Sequence, residues 1–109
     1  MKLIIAVVQD QDVNRLLARL AKGGYGATKL ASTGGFLRQG NTTLLIGIEA
    51  DHVEQVVETI KETCQSRKQL VTPMAAIEGA LGSYLPNPVE VSIGGATIFV
   101  LDVEGFAKV

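Results

Sequence analysis

The 109-residue chain contains no tryptophan, one cysteine, one histidine, and only three phenylalanines and two tyrosines. Each scarcity removes a class of function. A single thiol, Cys64, closes no internal disulfide, and neither end shows the charged, apolar and small-residue order of a secretion signal, so a cytoplasmic protein is expected. The lone histidine, His52, has only a distant cysteine for company, and zinc needs several such ligands together, so no metal site is expected. No histidine stands near a serine or cysteine nucleophile, and Asp10 with Asp12 reads as a helix start rather than an acid and base pair. No catalytic residue is therefore assigned. The apolar run at 3–8 ends at Gln9 and Asp10, too short to cross a bilayer, and no membrane association is expected. A net charge of -1 and a pI near 5.7 leave no positive field, which excludes a nucleic-acid polymer as the natural partner.

What is present is aliphatic. At 47% hydrophobic content and a mean hydropathy of +0.28, residues 1–109 suffice for a single domain with its own core. The β-branched run at 3–8 predicts a central strand. Val13, Leu16, Leu17 and Leu20 then recur at helical spacing, with Asp10 or Asp12 as the expected cap and Gly23-Gly24 as the stop. Residues 27–32 predict a second strand, with Thr28 and Leu30 on one face and Ala27 and Lys29 on the other. Residues 43–48 predict a third, in which Gly47 marks a bulge, room for a neighbouring side chain, or space for a planar ligand. A second helix is expected from Asp51, with Glu54 completing a capping box and Val53, Val56, Val57, Ile60 and Cys64 on its apolar face. Cys64 thus reads as core, and His52, on the first turn, as exposed. Residues 66–87 show no clear period and predict a long flexible loop, with the basic residues at its start completing a helix C-terminus. The last two strands, 89–93 and 96–101, are joined by Gly94-Gly95, a two-residue hairpin signal.

The order strand, helix, strand, strand, helix, strands predicts an α+β, ferredoxin-like split βαβ sandwich with an antiparallel sheet and two helices. Helices cover one sheet face only, so the other, also apolar, is expected to meet further subunits; a trimer would close it. Between the second and third strands, residues 31–43 gather Gly34, Gly35 and Gly40 with Thr33, Asn41, Thr42 and Thr43, and set Phe36 and Leu37 beside Arg38. Glycines admit close backbone approach, short polar side chains offer hydrogen bonds, and Phe36 offers a surface for a base. The alternative is a long hairpin whose glycines serve only the turn. The stretch lacks the Gly-Lys-Ser/Thr ending of a Walker A loop.

Five segments, Val7-Val8-Gln9-Asp10-Gln11-Asp12, Thr33-Gly34-Gly35-Phe36-Leu37, Gly40-Asn41-Thr42-Thr43, Pro88-Val89-Glu90-Val91 and Gly94-Gly95-Ala96-Thr97-Ile98-Phe99-Val100-Leu101, resemble the PII-like cyclic di-AMP receptor family over nearly the whole chain. The resemblance implies a non-enzymatic, homotrimeric signal protein of Gram-positive-type bacteria. It would bind cyclic di-AMP, with no cofactor, in clefts between adjacent subunits, and its loops would change order for an unidentified downstream protein to read. Position by position it implies Gly35, Phe36 and Leu37 at the adenine and phosphate site, Thr28 and Asn41 hydrogen-bonding the ligand, Gly47 giving room for a base, and Phe99 contributing from the neighbouring chain. The chain departs from the family's usual arginine at Gly26 and usual glutamine at Lys108. Backbone amides at 34–36, Lys29, Arg38 or Lys108 are the available substitutes for the missing charge. The readings that compete with it are a PII-like trimer binding ATP or another nucleotide, and a small phosphatase-type enzyme.

Overall fold

A computed structural model describes residues 1–30, 33–35, 38–71 and 88–109, without side-chain detail at 33–35, 38–39 and 71. β1 (Lys2–Gln9) leads directly into α1 (Asp10–Lys22). Short strands β2 (Thr28–Lys29) and β3 (Thr33–Gly35) precede the long β4 (Arg38–Ile48), and a 3-10 turn (Ala50–His52) leads into α2 (Val53–Thr63). β5 (Arg67–Val71), β6 (Val89–Ile93) and β7 (Ala96–Asp102) complete the order.

The main sheet runs β2-β4-β1-β7, with β3 also on β4, and every pairing is antiparallel. This is the ferredoxin-like arrangement that the order of elements predicted. Alternation along the strands sends Ile4, Ala6 and Val8 of β1 and Thr42, Leu44, Ile46 and Ile48 of β4 to one face, where Val13, Leu16 and Leu20 of α1 and Val56 and Ile60 of α2 bury them. Each such aliphatic side chain contributes about 1.5–3 kcal/mol on full burial. Cys64 is buried in the same core, as expected.

Both helices begin without a side-chain cap, which corrects the two caps read from sequence. The N-cap of α1 is Gln9, in extended conformation, and no side chain caps it. Asp10 instead accepts a hydrogen bond from Thr42, and Asp12 is buried against two arginines. The expected capping box of Asp51 and Glu54 is absent because a 3-10 turn intervenes and His52 occupies the N-cap of α2. At the other end of α1 the glycine stop holds: Gly24 has φ +86°, beyond the C-cap Gly23.

Three further expectations give way. The predicted third strand starts five residues earlier, at Arg38, because Arg38 to Asn41 pair with β3; the described part of the glycine-rich stretch is thus hairpin strand rather than loop. Residues 67–71, expected as flexible loop following a helix end, form β5, which pairs with β6 from Arg67↔Ile93 to Val71↔Val89; 72–87 lie outside the described residues. Gly94-Gly95 does not close a hairpin. β6 belongs with β5 in a separate two-stranded sheet, whereas β7 pairs with β1, so the two glycines carry the chain from one sheet to the other. Their amides go to Gln9 and to the Cys64 carbonyl, leaving none for a cross-turn bond.

Candidate functional site

The face of the sheet away from the helices is open, and its composition follows from strand parity. Register aligns Thr28, Leu45, Ile5 and Phe99 in one row across β2, β4, β1 and β7. Gly47, Leu3 and Leu101 form the row on one side of it, and Thr43, Val7 and Thr97 the row on the other. Beyond these, Asn41 stands opposite Gln9 on β1 and opposite Thr33 on β3. None of these residues is ionisable, so the face combines an apolar centre with a rim of hydroxyl and amide groups.

Four residues expected in the site, Thr28, Asn41, Gly47 and Phe99, therefore share this one face. The structure does not bring them into one pocket of a single chain. Thr28 and Phe99 sit on the two edge strands, three strand spacings or about 14 Å apart. Asn41 and Gly47 are six residues apart on β4, about 20 Å along the strand. Gly35 lies in β3 opposite Arg38, and Phe36 and Leu37 lie outside the described residues. Phe99 is 53% exposed, a large aromatic left uncovered on a sheet surface.

Gly47 has no bulge and no filling neighbour. The β1 to β4 register runs unbroken from Lys2↔Ile48 to Gln9↔Asn41, and a Cβ built on Gly47 meets nothing within 4 Å. Within the described chain the bulge is thus removed, and open space lies above Gly47 on the uncovered face.

Asn41 borders an open cleft of about 300 Å³, shared with Gln9, Gly94, Ala96 and Thr97. Gln9 and Gly94 were not read from sequence as site residues. Parity held the signal for Gln9, since it ends the run in which Leu3, Ile5 and Val7 already face the same way. Gly94 sits at the turn and its amide donates to Gln9 Oε1 at 2.7 Å. A larger hollow of about 740 Å³ lies along α2 beside Asp51, Glu54, Glu58 and Lys61, and three carboxylates make it a poor seat for a phosphate diester.

Three of the chain's cations are displaced from the open face. Lys29 pairs in register with buried Leu44, which puts it on the helix-covered side. Arg15 and Arg67 are committed to Asp12, at 3.2 and 2.8 Å. The hydrogen bond from Arg67 to Asp12 raises the guanidinium pKa above its ordinary value. Burial, reinforced by Asp12, pushes the Cys64 thiol up to about 11, where it has no nucleophilic thiolate at neutral pH. His52 contacts Tyr25, whose hydroxyl lies 3.1 Å from Nδ1 and donates to Gln55 at 2.6 Å. Among the described residues no group of three or more metal-ligating side chains converges. The chemistry the open face offers is hydrogen bonding and stacking.

A family model described as cyclic-di-AMP receptor matches residues 1–109, the whole chain. Among solved structures, the chain is similar to a functionally unknown protein from Pediococcus pentosaceus ATCC 25745. Identity is 42%, with 99% of this chain and 96% of that chain covered, at a TM-score of 0.77.

Proposed function

The chain belongs to the cyclic-di-AMP receptor family, with the PII-like, ferredoxin-like fold, and we propose that it is a cytoplasmic signal receptor binding cyclic di-AMP at clefts between subunits of a homotrimer. The observation that carries this reading is the distribution of Thr28 and Phe99. They share one uncovered face yet occupy opposite edges of the sheet. A base held by Thr28 of one chain is reached by the aromatic ring of a neighbour's edge strand more readily than by the ring of its own. Three sheets meeting face inward would bury Ile5, Leu45 and Leu101 and leave such edge-to-edge clefts between them.

Within the cleft, Asn41 and Thr28 supply directional hydrogen bonds, and the space above Gly47 admits a planar base. Gly35, Phe36 and Leu37 complete the adenine and phosphate contacts. The two phosphate charges take their complement from backbone amides of 34–36, from Arg38 or from Lys108. Lys29 drops out of that set because its register turns it away. Ligand occupancy is read by a downstream protein through the segment that follows α2.

Isothermal titration of the purified protein with cyclic di-AMP, with cyclic di-GMP and ATP as comparisons, tests the reading. Saturable binding of cyclic di-AMP alone at one ligand per chain is expected. Heat with ATP and none with cyclic di-AMP would transfer the scaffold to another nucleotide. Asn41→Ala and Phe36→Ala should each weaken the interaction while sedimentation still reports a trimer; unchanged affinity in both would reject the pocket.

A further inference from the structure

The two-stranded ribbon of β5 and β6 leaves the body at a root that is fastened on both sides. At its β5 end, Arg67 Nη2 donates to Asp12 Oδ1 at 2.8 Å and Nη1 to the Gln65 carbonyl at 3.0 Å. Asp12 is wholly buried in the first turn of α1, and it also accepts from Arg15 at 3.2 Å. Arg15 in turn donates at 2.6 Å to the carbonyl of Thr63, the last residue of α2. At its β6 end, Gly94 donates to Gln9 Oε1 at 2.7 Å, and Gly95 donates to the Cys64 carbonyl. Gly94 has φ +80°, and a Cβ there would come within 2.5 Å of the Gln65 carbonyl and 2.6 Å of Arg67. The root is thus too tight for any side chain, and its position is dictated by a few polar contacts rather than by an apolar core.

Gln9 occupies a singular place in this arrangement. It is the last residue of β1 and the N-cap of α1. Its strand partner is Asn41, the expected ligand residue, and the amide it holds belongs to the ribbon root. Asn41, Gln9 and Gly94 therefore stand side by side along one wall of the cleft of about 300 Å³. A ligand group that engages Asn41 lies one strand away from the acceptor that fixes Gly94.

We infer that Gln9 is a positioning residue that couples occupancy of the Asn41 cleft to the ribbon of β5 and β6, with the Asp12 and Arg67 pair as the fixed point about which the ribbon root is held. This rests on the cyclic di-AMP reading of the cleft. The coupling runs through the Gly94 amide: its acceptor is a side chain lining the cleft, whereas that of Gly95 is the Cys64 backbone carbonyl at the end of α2.

The test is amide hydrogen exchange of 67–71 and 89–93 in the intact protein, with and without saturating cyclic di-AMP. Titration on the same samples verifies saturation. In the natural sequence, exchange in both strands slows on ligand addition. In Gln9→Met, of similar length but with no oxygen acceptor, the ligand-dependent slowing is lost; in Gln9→Glu, which keeps an acceptor, it persists. Arg67→Gln, away from the cleft, speeds exchange of the ribbon in the free protein and leaves the slowing smaller. Slowing of natural size in saturated Gln9→Met, or no slowing in the natural sequence when titration shows binding, overturns the coupling and leaves the receptor reading intact. Absence of binding to the natural protein overturns both.

Discussion

The two faces of the sheet are built from the same strands and similar aliphatic residues, yet they have opposite fates. Ile4, Ala6, Leu44 and Ile46 are fully buried beneath α1 and α2. One residue along, Ile5 and Leu45 face outward with Phe99 and Leu101, the last two exposed to 53% and 45%. An apolar run without alternation, such as residues 3–8, therefore supplies two apolar faces: one buried within the chain and one left open. The ribbon is a third kind of region. None of its described residues is buried, and two strands alone are marginal in water.

The sharpest way to break the comparison is to delete the same kind of side chain from each face. Ile46→Ala, on the covered face, opens a cavity beneath the helices and should destabilise the chain by about 2–5 kcal/mol, read as a lower denaturant midpoint. Ile5→Ala, one strand over on the open face, should lower the stability of the isolated chain far less. Its effect should instead grow with protein concentration, because it weakens assembly. Equal and concentration-independent losses would mean that the open face is no interface.

The second contrast is between apolar and ionic fastening. Asp12 has no exposed surface, and its loss leaves Arg15 and Arg67 without their common partner. Hydrogen bonds to charged groups are worth about 1.5–3 kcal/mol, so Asp12→Ala should cost an amount of that order, below the core deletion. Amide exchange should rise first at the start of β5 and at the end of β6, while β1 stays protected. Loss spread evenly over the sheet would make Asp12 a general core residue instead.

How much of this was legible depended on the range of the interaction. Both helices were visible because Val13, Leu16, Leu20, Val56 and Ile60 recur at a spacing set by the helix itself. The open face was visible too, since runs such as residues 3–8 are apolar on both parities, but that Thr28, Gly47 and Phe99 share it follows only from the pairing. The ribbon was not. Arg67-Lys68-Gln69 carries no apolar period, and what makes it a strand is a partner more than twenty residues away. Gly94-Gly95 signalled a turn correctly, but glycine specifies only that φ is positive. The strands flanking the turn were read correctly; that they join different sheets was not, since the amides of the turn go to Gln9 and Cys64, distant in sequence. The caps failed for a similar reason: Asp10 and Asp12 are good capping residues locally, and tertiary partners took their carboxylates.

Cys64 sharpens the contrast from the covered side through pH. Its folded pKa is raised to about 11, chiefly by burial, above that of an exposed thiol. The neutral thiol is the form the fold favours. Its contribution is complete below the unfolded pKa, and it is lost as pH rises through the folded value, so it fades between about pH 9 and 11. Unfolding midpoints should fall over that window, and Cys64→Ala, whatever its overall cost, should fall less steeply. In the native protein at pH 8, alkylation of Cys64 should be limited by opening of the core; alkylation at the rate of a free thiol would contradict the burial.

Gly47 gives the smallest effect on the chain and the most discriminating one on the site. Its backbone is ordinary strand, and an added methyl meets nothing within 4 Å, so Gly47→Ala adds no clash and removes a flexible residue from the unfolded chain. Stability should change by no more than about 0.4–1 kcal/mol, in the favourable direction. If the space is the seat of a base, the same methyl intrudes on it, and cyclic di-AMP affinity should fall while the oligomeric state is kept and the melting midpoint does not fall. A larger Gly47→Val should lower affinity further in the same order. Affinity untouched by both would place the base elsewhere on the open face and make the glycine a matter of subunit packing, which sedimentation of the same variants would then reveal.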